Sequence, residues 1–360
     1  MNAFLLPRAL AFAAGCAAAW LATGCGAPDV VSRVDAYHAA VHATVAAEVT
    51  GLGPRRGAPA RERSFPRLRE RRLDVGDERI GLLDFLSLQG CRLGELAGHR
   101  NSPLGRVMVG TRRLAYEVDV LLAGEACLEG LDREPRLRLG ALLERKRREL
   151  PRHVWNALWT DSELDPYLSR EAPPAPDDWD AYGTWALVEL ARSLDTLGSV
   201  RDARAIEATL GELRRAAPAG GLLRAVDAVG HHLGSVAELL GALDTPGCRG
   251  ATRRLARIFQ TTYLDLQPEL ARLDRRGAEV IEALAGLYTA SAAEVEAPPS
   301  MARYHREQLG LEGDEALFAR YRRAVARHAR AWEAPLRACG LLPTPPSVEA
   351  HRSVARPEAA

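Results

Sequence analysis

The chain has 360 residues, 48 Lys and Arg against 47 Asp and Glu, a formal net charge of +1, and six cysteines. So even a balance creates no overall field that would draw in nucleic acid, and the length supports one large or two small domains with a proper core. Lys146 is the only lysine, a bias that reads as genomic base composition rather than as arginine chemistry.

Residues 1–25 have the layout of a secretory leader. Arg8 and the terminal amine supply positive charge, and Ala9 to Gly24 are uncharged and mostly apolar, too few for the ~20 residues of a spanning helix. The run closes on Leu21-Ala22-Thr23-Gly24-Cys25, the form of a bacterial lipoprotein processing box, so acylation of Cys25 is expected. A rival box, Ala13-Ala14-Gly15-Cys16, would leave an apolar tail from Ala17 to Thr23, whereas Cys25 opens directly onto polar Gly26-Ala27-Pro28-Asp29. Gly26 after the cysteine, rather than Asp, resembles the signal that lets such proteins move on to the outer membrane. The expected address is its periplasmic face, with palmitate-type acyl chains as the lipid anchor.

The first mature stripe is Val30, Val34, Tyr37, Val41 and Val45, at helical spacing. His38 and His42 lie four apart beside it, but no third ligand follows at a matching spacing, so no metal and no cofactor are assigned. Residues 55–72 hold eight arginines against two glutamates with Pro and Gly interleaved, a solvated loop or a contact for anionic lipid headgroups. Further on, Arg145-Lys146-Arg147-Arg148 between Glu144 and Glu149 reads as a salt-bridged helix face.

Cys91, Cys127, Cys248 and Cys339 follow the leader, an even number suited to an oxidising compartment. Of three possible pairings, Cys91–Cys127 and Cys248–Cys339 are favoured because each closes a segment that begins and ends beside predicted helices. No C-x-x-C and no neighbouring His support a redox or zinc site. Asp161, Glu163 and Asp165 cluster, as do Asp177, Asp178 and Asp180; acidic residues ahead of apolar runs read as helix caps, though paired carboxylates also serve glycan hydrolysis.

The second half repeats long stripes. These are Leu187, Leu190, Leu194, Leu197; Ile206, Leu210, Leu213; Leu222, Val226, Val229, Leu233, Val236, Leu240, Leu243; and Leu266, Leu270, Leu273, Gly277, Val280, Leu284, Leu287. Pro268 is expected in the first turn of the last one. Tyr321, Val325, His328 and Trp332 form another, after which Pro335 should restart the helix before Leu336 and Cys339. His231 and His232 are adjacent and so point apart. No period-2 run appears, and the fold expected is all-α, an elongated multi-helix bundle stapled by two disulfides. Pro173-Pro174-Ala175-Pro176 divides a helical part 26–172 from a bundle part 173–342, and residues 343–360 read as a disordered tail.

Residues 79–128 carry the most distinctive text: Leu82-Leu83-Asp84-Phe85-Leu86-Ser87-Leu88, then Gly90-Cys91, Gly98-His99-Arg100-Asn101-Ser102-Pro103-Leu104-Gly105-Arg106-Val107-Met108, Arg113-Leu114-Ala115-Tyr116-Glu117 and Ala126-Cys127-Leu128. This resembles the domain-of-unknown-function 3080 family of proteobacterial lipoproteins. The resemblance implies an envelope lipoprotein of helical build and carries no activity with it. Within this stretch Arg100, Asn101, Ser102 and Gly105 form the candidate binding loop. Ser102 can cap a helix that starts at Pro103, Gly105 permits close backbone approach, and Arg100 and Asn101 offer donors to an anion. Common hydrolase and phosphate-binding motifs are missing. The expected role is therefore a non-catalytic scaffold or binding module for another envelope component, against a cell-wall- or lipid-acting hydrolase and a helical carrier of a small apolar ligand.

Overall fold

The computed structural model describes residues 29–55, 57, 64–76, 91–171, 179–195, 203–244 and 247–342. The leader with Cys25, the Leu82–Leu88 run, the Pro173 boundary and the tail lie outside these residues. Among the described residues the regular elements are helical and no strand occurs, so the protein is all-α, as its stripes predict.

Helix α1 (Val30–Ala46) begins at Asp29, whose carboxylate accepts from Ser32 N at 2.8 Å, satisfying a first-turn donor. A strap containing the short α2 (Leu68–Arg71) leads on, and then come α3 (Arg92–Asn101), α4 (Pro103–Arg106), α5 (Gly110–Leu128), the long α6 (Arg133–Trp159) and α7 (Leu164–Leu168). A 3-10 turn, Trp179–Tyr182, precedes α8 (Thr184–Asp195), α9 (Ala203–Leu213) and α10 (Ala219–Gly241). Helix α11 (Gly250–Ile258) passes through a π-helical turn, Phe259–Tyr263, into α12 (Leu264–Ala292). The chain finishes with α13 (Pro299–Tyr304), a second π turn at His305–Leu309, α14 (Leu317–Ala331) and α15 (Glu333–Ala338).

The centre is α10, which is buried on nearly every side and has α1, α7, α12 and α14 packed around it. Its predicted stripe from Leu222 to Leu240 is in the core, as are the stripes of α1, α9 and α12 and, on the last, Tyr321, His328, Trp332 and Leu336. Gly230 lets α14 come close: a Cβ there would lie 3.2 Å from Tyr321 Cα. This main core also takes Leu114 and Val118 from α5 and Val154, Trp155 and Leu158 from α6, so it draws on both sides of the boundary read at 172/173. A second, smaller core lies between α3, α5 and α6: Leu93, Tyr116, Val120, Leu121, Ala123, Cys127, Leu139 and Leu143.

Both favoured disulfides are present. Cys91–Cys127 joins the start of α3 to the end of α5, with Cα atoms 6.0 Å apart, and Cys248–Cys339 joins the approach to α11 to the end of α15, at 4.6 Å. Pro335 does restart the helix, between α14 and α15. Pro268, expected in a first turn, instead lies inside a helical run that begins at Gly250. The π turn adds its extra residue just before Leu264, whose carbonyl is the one a proline ring at 268 crowds.

One residue in each of two charged stretches departs from the expected solvent exposure. Lys146 is buried and donates to Glu117 Oε2 at 2.7 Å across the α5–α6 hairpin, while Arg147 stays outside and pairs with Glu144 and Glu125. Arg71 is fully buried, donates to Asp165 Oδ1 at 2.7 Å and lies 4.1 Å over the Phe65 ring. Its strap is pinned to α6: Trp155 Nε1 donates to Arg71 O at 2.7 Å, and Asn156 clasps the backbone of Leu73, accepting at 2.9 Å and donating at 2.8 Å. Arg71 is thus an internal clamp, withdrawn from any lipid surface.

Candidate functional site

The candidate loop is built from backbone geometry upward. After α3 the chain extends at Ser102 (φ −64°, ψ 159°) and Pro103 opens α4. Ser102 Oγ accepts from Gly105 N at 3.1 Å and donates to His99 O at 2.7 Å, the predicted cap. Gly105 is buried, and a Cβ there would lie 2.2 Å from His99 O and 2.7 Å from Arg100 O. Only glycine lets the two strands of this turn meet so closely.

The Arg100 guanidinium donates to Gly105 O inside the turn, and Arg106 Nε donates to the backbone O of Asn101 at 3.1 Å. Asn101 is exposed, and the turn also holds apolar side chains out in solvent. Leu104 is 80 % exposed, Val107 70 % and Val109 66 %, beside the exposed Arg106 and Arg112. The Cys91–Cys127 bridge fixes both ends of the α3–α5 unit carrying this surface. Burying a side chain of this size is worth about 1.5–3 kcal/mol, and three of them are left in solvent on this one short turn.

The acidic cluster at 161–165 caps and pairs. Asp161 Oδ1 accepts from Glu163 N at 2.9 Å, Glu163 meets Arg214 at 2.7 Å, and Asp165 serves Arg71. Asp177 and Asp178 lie outside the described residues. Burial pushes the Asp161 carboxyl above its ordinary value, and the nearby carboxylates of Glu163 and Glu207 add to the rise.

The histidines pair in a way the sequence does not announce. His42, four residues from His38, turns to Gly53 O at 3.1 Å. His38 instead meets His232 of α10, Nδ1 to Nδ1 at 3.0 Å, and His232 Nε2 lies 3.5 Å from Asp35 Oδ1. Burial, with His232 opposing charge on it, pulls His38 down to about 4; burial, with His231 and Arg55, likewise lowers His232. Burial pushes the Asp35 carboxyl up, but Arg55 beside it outweighs that and holds it below the usual carboxylate value. These three side chains are the described group able to hold a metal ion, their ligand atoms all within 4.8 Å of one another.

Two further polar groups carried no signal in the sequence. Tyr37 OH, His328 Nε2 and Trp332 Nε1 form a closed triangle in the main core, at 2.8, 2.9 and 3.1 Å. Glu117 gathers Lys146, Arg113 at 2.5 Å and His153 at 4.0 Å in the hairpin. His328 and Tyr37 were legible as positions of apolar stripes, but Glu117, Arg113 and His153 stood on no stripe.

Among the described residues no helix is long and apolar enough to cross a membrane. No curated protein and no solved structure matches the chain. Residues 34–343 match the family described as "Protein of unknown function (DUF3080)". That span takes in α1 from Val34 onward, the stapled loop, both disulfides and the central helix α10, and the chain belongs to this family.

Proposed function

We propose that the protein is a non-catalytic binding module of the bacterial envelope, tethered by acyl chains on Cys25 to the periplasmic face of the outer membrane. The α3–α5 loop docks another envelope protein. The observation that carries this reading is the outward set of Leu104, Val107 and Val109 on a turn that its own hydrogen bonds and a disulfide hold still. A rigid apolar surface loses little conformational entropy on binding. With Arg106 and Arg112 at its rim, the fitting partner presents an apolar patch bordered by acidic residues. Two disulfides are consistent with an oxidising compartment, and the processing box ending at Cys25 supports the anchor.

A photo-crosslinking residue placed at Leu104 or Val107 in living cells is expected to trap one discrete protein species. The same residue at Leu264, 42 % exposed on another helix, should trap none. Equal patterns at all three positions, or release of cell-wall fragments by the purified protein, would overturn the docking reading. Replacing Cys25 with Ser should abolish lipid labelling and free the protein from membranes; unchanged membrane retention would remove the anchor from the proposal.

A further inference from the structure

We propose that Asp35, His38 and His232 form a binding site for one divalent transition-metal ion of the zinc class, linking α1 to α10. The inference stands apart from the docking surface and uses none of its residues. His38 and His232 come from helices 194 residues apart in sequence, and their rings are tilted by 58°, with centroids 5.3 Å apart. Nitrogen therefore faces nitrogen across 3.0 Å. Two imidazoles bound to tetrahedral zinc, with bonds of 2.0–2.1 Å, place their nitrogens about 3.3 Å apart, so a few tenths of an ångström of opening admits the ion.

The surroundings suit that chemistry. Both imidazoles are buried and are held by helices packed against each other. The Asp35 carboxylate has 39 % of its side chain exposed and faces His232 Nε2. It can complete the ligand set or fix the His232 ring as the carboxylate partner common behind metal-bound histidines, and it marks the way in from solvent. His231, next in sequence, has a buried Nε2 with no hydrogen-bond partner among the described residues, its ring 5.6 Å from that of His232. Among the described residues Arg55 is the cation against the cluster; it pairs with Asp35 and competes with the ion for that carboxylate. Two imidazole nitrogens and at most one carboxylate oxygen leave positions open for water.

The test uses the full chain in detergent, stripped with chelator and titrated with Zn2+ alone, then with Co2+ as a spectroscopic reporter. One saturable equivalent of Zn2+ is expected, with Co2+ ligand-field bands of a nitrogen–oxygen site. His38→Gln and His232→Gln, each checked for wild-type circular dichroism, should weaken binding by more than about 100-fold, and Asp35→Asn by about tenfold. Arg55→Ala should tighten it severalfold, and His42→Gln, whose ring is occupied with Gly53, should leave it unchanged. Absence of a saturable equivalent would overturn the site. So would binding that survives intact in folded His38→Gln and His232→Gln, since the ion would then sit elsewhere.

Discussion

The main bundle and the α3–α6 hairpin solve the same problem with different means. Around α10 the long stripes of α1, α12 and α14 bury a large apolar surface, and inside it the uncharged groups of Tyr37, His328 and Trp332 close on one another. The hairpin has a core of eight buried residues, and within it a full carboxylate, Glu117, is surrounded by Lys146 and Arg113. A small core leaves each element less apolar surface to share, and here a covalent bridge and internal ion pairs hold the helices instead. The difference predicts that hairpin lesions stay local and depend on partners, whereas bundle lesions spread.

The largest expected effects come from the disulfides. In the loop-entropy account, a bridge closing 36 residues contributes about 4 kcal/mol and one closing 91 about 5 kcal/mol. Cys91→Ser with Cys127→Ser should raise hydrogen exchange in α3 and α4 while α10 keeps its protection. Loss of protection in α10 would show that the two regions are one cooperative unit.

Next is the buried pair. Lys146→Met leaves Glu117 without its ammonium and should cost about 3–5 kcal/mol in urea unfolding. Adding Glu117→Gln should restore more than half of that. If the double variant is no better than the single, the pair does not carry the hairpin's specificity for charge.

Acid touches both regions. Burial holds His153, in the hairpin, and His328, in the bundle, down to about 4, against 6.5 in the unfolded chain. Between about pH 6.5 and pH 4 the unfolded chain binds more protons, so stability falls as pH falls, by up to about 1.4 kcal/mol per pH unit for each group. His328→Gln should flatten the bundle's share of that slope; an unchanged pH profile would mean His328 is already charged in the fold. Smallest is Ser102→Ala, expected to cost about 1 kcal/mol and to speed amide exchange at Gly105 without disturbing α10.

The sequence was most legible where a pattern implies its own consequence. Apolar residues at helical spacing must face inward, and so the α1, α10 and α12 faces could be read in advance. Ser102, Pro103 and Gly105 specify their turn through local hydrogen bonding and sterics, which need no knowledge of distant segments. What spacing cannot say is which faces meet. His38 looked paired with His42 because they share a helix, but rotation about α1 brings His38, not His42, to α10. Lys146 looked exposed because its neighbours are charged, and only the approach of α5 supplies the Glu117 that makes burial tolerable. The bond from Arg100 to the carbonyl of Gly105 could not be read in advance, because that carbonyl comes within reach only once the turn has closed.

The solitary Lys146 has a consequence for how this molecule meets reagents. Its amine is enclosed against Glu117, and the sequence holds no second lysine. Acylating electrophiles that modify side-chain amines should therefore pass over the native fold and mark it only when the hairpin parts. A single mass increment on one peptide would then count openings of α5 from α6, which makes the residue a ready-made clock for that motion.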